Sequence, residues 1–104
     1  MIFPKFIIET NEGGDYIVIG TTTYHKQLAF DLTKVKGGGW WVLNNGTSTF
    51  TLHGASTDFG RAKFEDIQKC IQNKRVFTSY TLDNNLTDDH KFNYRNRYGE
   101  IQEF

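Results

Sequence analysis

Near the start of the chain, the apolar residues Phe3, Phe6, Ile7 and Ile8 are followed by a polar break, Asn11-Glu12-Gly13-Gly14-Asp15, and then by Tyr16, Ile17, Val18 and Ile19. Runs rich in β-branched and aromatic side chains around glycines that tolerate positive φ predict a β-hairpin. After Gly20 and three threonines, Leu28, Leu32 and Val35 recur at helical spacing. This predicts a short amphipathic helix over about 22–34, capped by Thr21 or Thr22. A strand is the alternative, since Leu28, Phe30 and Leu32 also alternate. The triplet Gly37-Gly38-Gly39 is expected to end that element. Trp40 to Leu43, Asn44-Asn45-Gly46 and Thr47 to His53 then read as strand, turn and strand. In the second strand Phe50 and Leu52 should face inward, with Thr49, Thr51 and His53 on the polar side. From Ala62, Phe64, Ile67 and Ile71 share one helical face, with Glu65 and Asp66 early and Lys69 and Lys74 late, as a helix dipole favours. Arg75 to Leu82 reads as a last strand, and Lys91 to Tyr94 as a weak one within a polar tail.

These elements predict an α+β fold, a small mixed sheet with two helices packed on one face. The expected organisation is a single domain over 1–82 and a partly ordered C-terminal tail over 83–104. With 104 residues a single core is feasible without staples, and aromatic residues at 15% supply large buried area where hydrophobic residues make up only 38%. The 12 basic residues balance 12 acidic ones, so no global charge steers the chain to nucleic acid or membranes. No apolar run approaches the ~20 residues of a membrane span. A lone Cys70 cannot form an intramolecular disulfide and favours a reducing, cytoplasmic setting.

His25, His53, His90 and Cys70 stand at no metal-ligand spacing, so neither a metal nor a cofactor is expected. Lys91, Arg95 and Arg97 interleave with Phe92, Tyr94 and Tyr98, a pattern suited to single-stranded nucleic acid. Zero net charge and the neighbouring Asp88 and Asp89 argue against that partner. The most informative stretch runs from His53 to Gln68, where a strand end passes through Gly54, Ser56, Thr57, Phe59 and Gly60 into a helix N-terminus. Unpaired backbone donors there, with the Ser56 and Thr57 hydroxyls, would hold a phosphate or carboxylate. An ordinary capped turn, with Asp58 on the helix start or on Arg61, accounts for the same residues.

In order along the chain, Tyr24-His25, the glycine triplet followed by a hairpin, and His53-Gly54-Ala55-Ser56-Thr57-Asp58-Phe59-Gly60 resemble the phosphohistidine phosphatase (Janus) family over about residues 15–80. The resemblance implies a small α/β domain, with His25 at the catalytic histidine and Gly54, Ser56, Thr57, Phe59 and Gly60 as the phosphate cradle. It also implies a metal-free site. Trp40 stands where the family places an arginine after the triplet, Asp58 where it has a small residue, and the His25–Gly37 connection is short. Two functions of different class therefore follow. One is an accessory or binding module that takes a phosphate or phosphoprotein ligand and meets a protein partner through Trp40 and Trp41. The other is a phosphoryl hydrolase using His25. The missing arginine favours the first, because the strongest electrostatic aid to phosphoryl transfer is then not placed by motif.

Overall fold

The computed structural model describes residues 2–78 and 91–103. Strands β1 (Phe3–Asn11) and β2 (Gly14–Thr22) form the predicted hairpin, closed at Gly14 with φ 115°. β3 (Val35–Asn44) and β4 (Thr49–His53) form the second, joined by a four-residue turn, 45–48, in which Ser48 takes the positive φ. The helix α1 (Phe64–Gln72) is followed by β5 (Val76–Thr78), and β6 (Lys91–Arg95) and β7 (Ile101–Glu103) complete the described chain. All seven strands join one sheet in the order β5-β2-β1-β3-β4-β6-β7, parallel at β2–β5 and β4–β6 and antiparallel elsewhere.

α1 covers one face of this sheet. Phe6, Ile8, Ile17, Ile19, Phe50 and Leu52 are fully buried against Ile67 and Cys70, each large side chain contributing about 1.5–3 kcal/mol by leaving water. Asn73 and Lys74 end the helix, the latter with φ 55°, and the Arg75 amide donates back to the Cys70 carbonyl at 2.8 Å. Tyr94 lies in this core and donates its hydroxyl to the Ala62 carbonyl. The Lys91–Tyr94 segment is thus a sheet strand packed through Tyr94, while residues 79–82 of the last predicted strand and 83–90 of the tail lie outside the described residues.

The expected α+β class with two helices is overturned. Among the described residues there is one α-helix, and the architecture is a curled, predominantly β domain. Where a helix was expected over 22–34, the chain makes two 3-10 turns, His25–Leu28 and Leu32–Lys34. The physical reason is Glu9 on β1. Its buried carboxylate accepts the Phe30 amide at 2.8 Å and the Asp31 amide at 3.2 Å, donors that a continuous helix would have turned to its own carbonyls. Charged acceptors make the stronger hydrogen bonds, and the segment breaks there. The glycine triplet, expected to end an element, lies instead inside β3, paired with Phe6, Ile7 and Ile8 of β1. No helix among the described residues is long and apolar enough to cross a membrane.

Candidate functional site

On the sheet face opposite α1, the 23–34 segment lies over β1 and β2. It brings His25 onto β3, where the ring is 6% exposed and its Cδ2 would lie 3.2 Å from a side chain at Gly38. His25 Nε2 is 2.8 Å from the Gly39 carbonyl oxygen. A carbonyl only accepts, so Nε2 carries the proton and the lone pair of the neutral ring is on Nδ1. Nδ1 has no hydrogen-bond partner among the described residues.

A cation stands beside it. Lys5 projects from β1 on the same face, in register with Trp40, and is 5% exposed. Its ammonium donates to the Thr23 carbonyl and lies 4.9 Å from the Trp40 ring centroid and 5.1 Å from that of Phe3. Trp40 meets Phe3 and His25 edge-on, at 6.0 and 5.5 Å between centroids. Lys5 was not legible as a site residue; its signal was a lysine at the alternation step between Phe3 and Ile7, where a charge is rarely buried without a role or a partner.

The Gly54–Gly60 loop reaches the same point from the other side of β3. The Ser56 amide donates to the Gly38 and Gly60 carbonyls, both at 3.1 Å, and the Gly38 amide donates to Gly60. Ser56 is therefore held one residue along β3 from the carbonyl that fixes His25, and the charge of Asp58 in this loop acts on the imidazole. The cradle differs from expectation in which donors remain. The amides of Ser56 and Gly60 bond within the loop or to β3, and that of Phe59 donates to Ser56 Oγ at 3.2 Å. Thr57 and Asp58 form the exposed crest, and their amides donate no hydrogen bond among the described residues. Trp41 faces the core, 9% exposed, with its indole donating to the Gly20 carbonyl at 2.9 Å; it offers nothing to a partner, because alternation along β3 turns it away from Trp40. No group of three or more potential metal ligands occurs among the described residues.

Burial pushes the His25 pKa down, the hydrogen bond to Gly39 pulls it up, Lys5 pushes it further down and Asp58 opposes Lys5; the net shift is downward. His53 is also shifted down, by burial and then by Arg95. A histidine harder to protonate when folded leaves the unfolded chain holding more protons between the two pKa values. The contribution of these two groups to stability is therefore present above the unfolded value of about 6.5 and is lost as pH falls toward the lower folded values. Urea midpoints from pH 7.5 to 5 should decline for the wild type and decline less steeply for His25→Gln. An equal slope in both would remove His25 as a source of the dependence.

Comparison of the chain with protein-family models, with curated proteins and with solved structures finds no match. Lys5 and His25 meet at Trp40, and the Gly54–Gly60 loop bonds to β3 at Gly38, one residue from the carbonyl that holds His25.

Proposed function

We propose that the protein is a binding module for a phosphoryl-type anion, taken at the junction of Lys5, His25 and the crest of the Gly54–Gly60 loop. The observation that carries this reading is the buried Lys5 ammonium beside an imidazole of lowered pKa. Its only hydrogen bond among the described residues goes to one carbonyl, so an ammonium with three donors keeps capacity for an anion. A cation in a partly desolvated setting attracts an anion more strongly than one in open water. Lys5 supplies the positive charge that Trp40 does not. The Thr57 and Asp58 amides add donors, and the Asp58 carboxylate selects against anions that approach from its side.

A second reading is hydrolysis of a phosphoramidate, as the likeness to the phosphohistidine phosphatase family suggests. The fixed tautomer favours it, since a neutral ring with Nε2–H bonded to Gly39 presents Nδ1 as a nucleophile. In that reaction Nδ1 would form a bond to phosphorus while the P–N bond of the substrate breaks and its nitrogen takes a proton. Water would then displace the imidazole to give inorganic phosphate. The test is an NMR titration of labelled protein with inorganic phosphate and with phosphoramidate. Joint saturable shifts at the His25 ring and at Thr57 and Asp58 are expected from both. Release of phosphate from phosphoramidate that disappears in His25→Ala would select the hydrolase reading, and no release would leave the binding module. Shifts absent from both regions would refute the anion site.

A further inference from the structure

At the end of the sheet where β1 turns into β2, the hairpin and the 30–34 stretch line a cleft of about 390 Å³, the size of a small-molecule site. Its most deeply buried lining residue is Glu9, 1% exposed, beside Tyr16, the register partner of Glu9 on β2. Phe30 flanks the cleft with its ring almost wholly in solvent, at 96% exposure, and Glu12, Asp31 and Lys34 also line it.

The Glu9 carboxylate has no counter-charge. Its Oε1 accepts the Phe30 amide, and its Oε2 accepts the Tyr16 hydroxyl at 2.5 Å and the Asp31 amide. Three neutral donors thus fill three of the roughly four acceptor positions of a carboxylate, leaving one on Oε1. Tyr16 stays a donor, since burial and then the bond to Glu9 push its pKa up to about 12. All 12 lysines and arginines of the chain are among the described residues, and the ion pairs there are those of Lys36 with Asp15 and Asp66. Glu9, Glu12 and Asp31 form none among the described residues. The stretch 79–90 holds no lysine or arginine, only His90 and three aspartates, and its described neighbours Thr78 and Lys91 lie in register with Ile19 and Thr49, away from the β1–β2 turn. A buried charge is ordinarily paired or bound to a metal. The acids here do not come together as a metal-binding group, so the missing partner is an organic cation.

We infer that this cleft binds the guanidinium group of an arginine-like ligand. A planar fork of five donors suits acceptors spread around a cleft: the spare position on Glu9 and the carboxylates of Glu12 and Asp31. Its flat face stacks on the exposed Phe30 ring. An ammonium, a compact point charge with three donors, matches neither the spread nor the ring. Lys34 is the one cation lining the cleft, and its charge opposes the ligand. The inference does not rest on phosphate binding at Lys5 and His25.

The test is an NMR titration of the isotope-labelled full chain with N-acetylarginine methylamide, with ethylguanidine, and with N-acetylcitrulline methylamide, which keeps the shape of the first and lacks its charge. Saturable shifts are expected at the Phe30 and Asp31 amides and in the 11–14 turn with both guanidinium probes, and none with citrulline. Phe30→Leu and Glu12→Gln should each weaken binding about two- to fivefold, and Lys34→Gln should strengthen it by a similar factor, a gain that a merely structural lysine would not produce. These three side chains are exposed, and thermal melts establish that each variant remains folded. Glu9→Gln should abolish binding, but it also disturbs the Phe30 and Asp31 amides, so the exposed variants decide. Tighter binding of the blocked arginine than of ethylguanidine makes the ligand a peptide side chain, and equal binding makes it a free guanidinium compound; both support the inference. No saturable shift with either guanidinium probe overturns it, as do equal shifts with citrulline or an unchanged affinity in Lys34→Gln. Phosphate shifts at His25 are read separately, so failure of either site leaves the other measurable.

Discussion

Gly39→Ala is expected to cost about 3 kcal/mol and to lower the melting temperature by about 12–24 °C, following the 4–8 °C per kcal/mol typical of a domain this size. A Cβ at Gly39 would sit 2.3 Å from the His53 carbonyl oxygen, 2.9 Å from Phe6 Cε1 and 3.0 Å from the Gly54 carbonyl oxygen. Two of these are backbone atoms in a sheet and a tight loop, so relief requires β3 to separate from β4. The third belongs to a fully buried ring. Because the Gly39 carbonyl also holds His25 Nε2, the same substitution should loosen the histidine and weaken the phosphate response. Circular dichroism melts measure the first effect. A melting temperature within about 2 °C of wild type would show that the triplet is not clamped inside the sheet.

The second large effect concerns Lys5. Lys5→Met keeps the length and apolar stem of the side chain against Phe3 and Trp40 while deleting the charge. Replacing a buried ion with an apolar side chain of similar volume is often neutral or stabilising, so the variant should fold. Phosphate affinity should fall at least about thirtyfold, the lower end of the ~2–5 kcal/mol lost when one member of a buried, hydrogen-bonded charge pair is removed. The His25 pKa should move upward in the same variant, because the Lys5 charge is one of the influences holding it down. The C–H resonances of the His25 ring, followed against pH, report that shift, which a purely structural lysine would not produce. An unchanged midpoint together with unchanged phosphate affinity would separate Lys5 from the site.

Much of the β framework was legible because its signals are local. Alternation fixes which of Phe50 and Thr51 turns inward once a strand exists, and glycine with Asn or Asp marks where strands reverse. The helix Phe64–Gln72 was equally plain, since its apolar spacing and its order of charges agree. The segment 22–34 misled because Leu28, Leu32 and Val35 hold helical spacing by themselves. What undid the helix lies far off in sequence, in the Glu9 carboxylate that draws in the Phe30 and Asp31 amides. Similarly, three glycines in a row signal chain reversal locally. Their use here, letting Phe6, His53 and the 61–62 backbone approach β3, depends on neighbours that only the fold assembles.

The candidate site divides in the same way. His25 and the Gly54–Gly60 loop could be picked out because imidazole chemistry and a glycine-bounded strand-to-helix loop are visible in a sequence. The sequence by itself determined the two hairpins and the helix, while Trp40 and Trp41 together read as one partner surface until the strand turned Trp41 into the core. Only the tertiary structure decided that Lys5 and His25 both lie against Trp40, that Gly38 and Gly39 join the histidine to Ser56, and that the amides of Ser56, Phe59 and Gly60 are already bonded. The reason is range. Backbone periodicity is set by neighbours a few residues apart, whereas a site is made by side chains from β1, β3 and two loops, whose meeting depends on strand order and register.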